Sequence, residues 1–149
     1  MPTQKKDKKM SKKSLVNKKG GAKPELVKVF IKRMLEVTPT IRLFHWKTDS
    51  HAAHKATDHL MEALNEVVDK YVETMLGKTN VKLQMSDYHT LTIKTPNTNS
   101  DLESFIKELI EFLLTFHKKL DNETDTDLLN IRDEMIGDLN KFLYLLRFK

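Results

Sequence analysis

Four blocks of apolar residues, each repeating at intervals of three and four, constrain this chain most, because helices alone turn such a pattern into one buried face. The first block is Leu26, Val27, Phe30, Met34, Leu35, Ile41 and Phe44; the second is Leu60, Leu64, Val67, Val68, Tyr71 and Met75. The third is Leu102, Phe105, Ile106, Leu109, Phe112, Leu113 and Phe116; the fourth is Leu128, Ile131, Met135, Leu139, Phe142 and Leu146. Short links join the outer pairs, at Thr48-Asp49-Ser50 and at residues 122–126, but residues 78–100 separate the second block from the third. Links between antiparallel neighbours usually run about 2 to 8 residues, so the long one is expected to cross the length of a bundle.

Local signals place the boundaries. Pro24 and Glu25 suit the first turn of a helix running to about Lys47, and Pro39 is expected to kink it by removing a backbone donor. A second helix begins after Thr48-Asp49-Ser50 and is expected to stop at Met75 or Leu76, before Gly77. Ser100 with Glu103 reads as a capping box for a third helix over 101–120, and the fourth runs to the C-terminal end. The expected fold is all-α, a ferritin-like four-helix bundle over residues 24–149 with one long crossover between helices 2 and 3.

The charge is divided. Residues 1–23 hold nine lysines and one acid, Asp7, whereas the remainder has three more acids than bases, so the net +5 belongs to the N-terminal arm. An arm this polar cannot bury enough surface to fold alone. Lys5, Lys6, Lys8, Lys9, Lys12, Lys13, Lys18 and Lys19 are expected to bind DNA by counterion release, with a merely solubilising tail as the alternative. The chain has no cysteine, which excludes disulfides, thiolate metal sites and thiol catalysis. No apolar run is long enough to span a membrane, and the lysine-rich start lacks an apolar signal region, so a soluble intracellular protein or particle component is expected.

Residues 44–73 carry the candidate metal ligands, with an ordinary polar helix face or a polar interface that binds no metal as the alternative. At about 100° per residue, His54, Asp58, Asp69 and Glu73 fall within about 100° on one side of one helix, yet the two halves of the set lie about 16 Å apart along it. One chain therefore cannot bring them to one ion. Two helices crossing antiparallel about a two-fold axis near Ala63 and Leu64 would set His54 and Asp58 of one chain against Asp69 and Glu73 of the other, giving two equivalent intersubunit sites.

The same stretch resembles Dps, the DNA-binding protein from starved cells, a dodecameric mini-ferritin. That family's ferroxidase pattern is a histidine-tryptophan pair ending the first helix, then a histidine, an aspartate four residues on, an aspartate after eleven more and a glutamate four further. Here His45-Trp46, His54, Asp58, Asp69 and Glu73 stand in that order. The resemblance implies that His45, His54 and Asp58, with Asp69 and Glu73 of a two-fold mate, bind iron and catalyse oxidation of Fe(II) by hydrogen peroxide or dioxygen. It further implies a homo-oligomeric iron store, a dodecamer, with tails that hold DNA in a cytoplasmic, nucleoid-associated setting. Trp46 is either a core anchor or a sacrificial electron donor beside the iron.

The chain departs from the family in two places. The interval between its histidines is three residues shorter, and residues 78–100 show no helical pattern where Dps has a short helix at its dimer interface. Similar ferritin-like chains occur in large DNA viruses, so the rival reading is a DNA-compacting or virion structural protein that keeps the fold without the ferroxidase. His51 reads as a helix-start residue and His59 as solvent-facing. The Glu-x-x-His pairs of di-iron bundles are absent, and the acidic link 122–127 lacks the glycine and final glutamate of a calcium loop.

Overall fold

Pro24 heads the first helix of the computed structural model, which describes residues 23–148. Four α-helices follow one another: α1 (Pro24–Lys47), α2 (His51–Thr79), α3 (Asn99–His117) and α4 (Thr126–Leu145). The described residues contain no strand, and a single 3-10 turn, Met85–Tyr88, interrupts the long link. The protein is an all-α four-helix bundle.

Helix α1 continues through Pro39 without a break. The missing donor is local, and Thr40 beside it returns a hydroxyl hydrogen bond to the Glu36 carbonyl at 2.8 Å. Leu35 does not join the core stripe expected for it and stays 43% exposed. Following directly on buried Met34, it is turned about 100° away from the core.

Helix α2 ends later than Gly77. Ser50 caps its start by accepting a hydrogen bond from the Ala53 N–H at 3.2 Å, and Asn80 closes it in the left-handed conformation, φ 53°, donating to the Leu76 carbonyl at 3.0 Å. Asparagine enters that conformation more readily than most residues that carry a side chain, so Asn80 can close the helix and Gly77 lies inside it. The last turn is held as well by Lys78, whose ammonium lies 2.7 Å from Asp127 and 3.4 Å from buried Asp125 at the start of α4.

Helix α3 begins earlier than Ser100. Thr98 and Asp101 form the capping box: the Thr98 hydroxyl accepts from the Asp101 N–H at 3.1 Å, and the Asp101 carboxylate accepts from the Thr98 N–H at 2.8 Å. Glu103 instead pairs with Lys107 one turn on. The helix stops at His117, and Leu120 is buried from the following turn.

The core is a run of side chains from all four helices. Phe30 stacks on Tyr71 with centroids 4.2 Å apart and reaches Phe116 at 5.4 Å and Phe112 at 6.4 Å, joining α1, α2 and α3. Each such aromatic pair contributes about 0.5–1.5 kcal/mol beyond its buried area. All six apolar residues expected from α4 are buried. Helices α1 and α2 are antiparallel, since Phe30 meets Tyr71 at one end and His45 meets His54 at the other. Lys70–Glu134 and Lys78–Asp127 set α2 antiparallel to α4.

The 80–98 link lies along α1. Asp87 pairs with Lys28 at 3.0 Å, the Thr92 N–H donates to Glu36 at 2.8 Å, the Lys94 N–H to the Thr40 hydroxyl at 3.1 Å, and Lys47 to the Asn97 carbonyl at 2.6 Å. These partners climb α1 in chain order, so the link travels from its start to its end. An irregular segment needs such donors and acceptors because it satisfies few of its backbone groups by itself, here in the turn at Met85–Tyr88.

Candidate metal centre

Three residues, Thr48 to Ser50, turn the chain between α1 and α2, and this tight corner brings His45 against His54. The two rings stack with centroids 3.9 Å apart and planes inclined by 22°. Their hydrogen bonds are reciprocal. Nδ1 of His45 lies 3.0 Å from the His54 carbonyl, and Nδ1 of His54 lies 3.1 Å from the His45 carbonyl. A carbonyl oxygen can only accept, so both Nδ1 atoms carry hydrogen, and in the neutral rings both Nε2 atoms present a lone pair. Orientation of a ring by its other nitrogen is the arrangement found in metal-ligating histidines.

Thr57 supports the pair and escaped the reading of the sequence. Fully buried, it places its hydroxyl oxygen 2.9 Å from Nδ1 of His45 while donating to the Ala53 or His54 carbonyl. Its only signal was a position three residues after His54, one helical turn along the same face.

The carboxylates lie along the outer side of α2. Asp58, Asp69 and Glu73 are exposed. Asp58 opens onto a cleft of ≈ 470 Å³ that it shares with Arg42 and Glu62, and Asp69 lies at the rim of an adjoining groove of ≈ 630 Å³ between α1 and α2. Among the described residues, no three His, Asp or Glu side chains converge to hold a metal ion. The chain thus assembles His45 with His54 and leaves Asp58, Asp69 and Glu73 apart from them.

Trp46 is not a core anchor. It is 68% exposed, with the Arg42 guanidinium 6.0 Å from its ring centre. Its neighbours explain this: Phe44 takes the core position, and two residues on, the helix faces outward. His51 and His59 are exposed on α2. The lysines expected on DNA, Lys5, Lys6, Lys8, Lys9, Lys12, Lys13, Lys18 and Lys19, lie outside the described residues. No helix among the described residues is long and apolar enough to cross a membrane.

Other polar groups serve the scaffold. Hydrogen bonds from Thr98 and Asn97 hold the Asp101 carboxyl below the usual aspartate range. Burial would raise the Asp127 carboxyl, but hydrogen bonds from Lys78 and the Leu128 N–H outweigh it and leave it lowered. Burial pushes the Tyr71 phenol strongly up, and its hydroxyl finds no partner among the described residues.

No curated protein and no solved structure matches this chain. Residues 45–146, which begin at His45 and take in every candidate ligand, match the family described as "Family of unknown function (DUF5856)". That match covers more than half of the sequence, and the chain belongs to this family.

Proposed function

We propose that this protein is a Dps-like, ferritin-like iron protein that binds and oxidises Fe(II) at sites completed between two chains, and that its lysine-rich arm holds DNA. The observation that carries the reading is the His45–His54 pair, each Nδ1 on the other's backbone carbonyl and each Nε2 without a hydrogen bond to a described residue. The shortened interval between the histidines is accommodated by the tight corner rather than by separating the rings.

Imidazole and carboxylate are a suitable donor set for Fe(II), which also needs open positions for its oxidant. His45 and His54 supply the nitrogens, and Asp58, which stands apart from them in the isolated chain, supplies oxygen from the same chain once its side chain turns toward them on binding. Asp69 and Glu73 of a second chain complete the site when α2 helices cross antiparallel. Iron is the substrate: each Fe(II) gives up one electron, and hydrogen peroxide takes two, with two protons, to become water. The long link lying along α1 supports the ferritin-like arrangement. Dodecameric assembly and iron storage follow from the same resemblance.

The test is stopped-flow oxidation of Fe(II) by hydrogen peroxide with the intact chain and with Asp58→Ala and Glu73→Ala. Both substitutions lie on the exposed side of α2 and should leave circular dichroism unchanged. Loss of rapid oxidation in both is expected; oxidation at the parent rate in either would refute the ligand set.

A further inference from the structure

The groove beside Asp69 lies between two helices and is lined mainly by apolar side chains, among them Ile31, Leu35, Val68 and Val72, with Thr38 and Asn65 as polar neighbours. About 10 Å farther along α1 than Pro39, the nearest groove residue on that helix, Trp46 stands out mostly exposed, with Arg42 beneath its ring. One molecule thus carries an unfilled apolar slot and an unhoused indole on the same face.

We infer that Trp46 of one copy seats in the α1–α2 groove of a second copy, with Arg42 over the partner's Asp69, and reciprocally. This deepens, and rests on, the two-fold reading above. Register argues for it. The Phe30–Tyr71 and His45–His54 contacts put Leu64 level with about residue 36 of α1; from that level Arg42 lies about 9 Å toward one end of the helix pair and Asp69 about 8 Å toward the other, while Trp46 and Val72 lie about 15 Å and about 12 Å from it on opposite sides. A two-fold axis at that level therefore brings Arg42 to the height of the partner's Asp69 and Trp46 to within a helical turn of the partner's Val72 in a single operation. A self-complementary patch of this kind is what an isologous interface demands.

Charge agrees with shape. Among the described residues neither Arg42 nor Asp69 takes part in an ion pair. Arg42 can meet an opposite charge across the axis without losing a partner, and an Asp69 carboxylate that gives one oxygen to Fe(II) keeps the other for the guanidinium. Tryptophan and arginine anchoring into desolvated pockets are the residue types that dominate interface energetics. The exposed Leu35 at the groove rim would be covered at the same time.

Trp46 is the only tryptophan, so its fluorescence reports the docking directly. Emission and acrylamide quenching of the full chain are followed through a dilution series alongside mass by sedimentation. The expected result is blue-shifted, quencher-protected emission in the dimer that turns red and accessible as mass halves. Leu35→Glu, on an exposed position, should leave Trp46 in place but shift the dissociation constant upward at least about tenfold. Arg42→Glu should weaken the dimer similarly, and adding Asp69→Arg to it should restore association.

A dimer in which Trp46 remains red and fully quenchable overturns the docking but leaves two-chain iron oxidation standing. A dimer with protected Trp46 that oxidises no iron upholds the docking and overturns the functional reading. A chain that stays monomeric at every concentration overturns both.

Discussion

His45 and His54 hold each other by their backbones: the side chain that ends α1 bonds to the carbonyl at the start of α2, and the side chain that starts α2 bonds back. Such an exchange fixes two ring orientations for one three-residue corner. It also ties the geometry of the donor pair to the integrity of the turn.

Thr57→Val removes the hydroxyl beside Nδ1 of His45 and leaves a side chain of the same outline. Loss of a group orienting a metal ligand typically costs about 10–100-fold in metal affinity. Fe(II) or Co(II) titration should show weakening in that range, with the circular dichroism spectrum retained. Unchanged affinity would mean that the carbonyl contact alone orients the ring.

Asp58→Ala and Glu73→Ala chains should complement each other. In a mixed two-fold dimer one site lacks both carboxylates and the other regains the full set, so random mixing should recover about a quarter of the parent oxidation rate. Absence of recovery after subunit exchange, verified by mass, would place all the ligands in one chain.

Thr98→Ala breaks the box that starts α3 and should lower stability by about 1 kcal/mol in urea denaturation. Asp101, the other half of the box, has its carboxyl held below the usual range by hydrogen bonds from Thr98 and Asn97. A lowered folded pKa means that its contribution is fully present above the unfolded value of about 3.9 and is lost as pH falls through the lower folded one. Hydrogen exchange at the Asn97 and Thr98 amides should therefore quicken only at pH values below the ordinary aspartate range.

Tyr71→Phe removes a buried hydroxyl that has no partner among the described residues while keeping the ring on Phe30. Leaving a polar group unsatisfied in a core costs about 1–3 kcal/mol, so the substitution should leave the melting temperature unchanged or raise it. A clear fall would reveal a bound water or other acceptor at that hydroxyl.

Removal of residues 1–23 takes away nine lysines and leaves a chain with net negative charge. Retention on duplex DNA should disappear, whereas the intact chain should bind with a steep inverse dependence on salt and little preference for sequence. Retention by the shortened chain would transfer the binding to the folded body.

The apolar stripes of α2, α3 and α4 were legible because burial in a helix needs only the right side chain every three or four residues, and Leu64, Leu109 or Leu139 meet that need wherever their partner comes from. Boundaries were less legible. Gly77 and Ser100 are good stop and start residues, but Asn80 and Thr98 perform those tasks, because Lys78 is held by Asp125 and Asp127 and because the link must first climb α1. Leu35 and Trp46 show the same limit. Their apolar character was plain, and only the rotation of α1 against its neighbours decided that both face outward.

By itself the sequence determined four amphipathic helices, their order, and a helix bearing His54, Asp58, Asp69 and Glu73 on one side too far apart to serve one ion, since these follow from local periodicity and helical rise. The tertiary structure decided that His45 stacks on His54, that Thr57 stands behind them, and that a groove opens beside Asp69. Those depend on how α1 and α2 turn against each other at the Thr48–Ser50 corner, a relation between distant residues that no local pattern encodes.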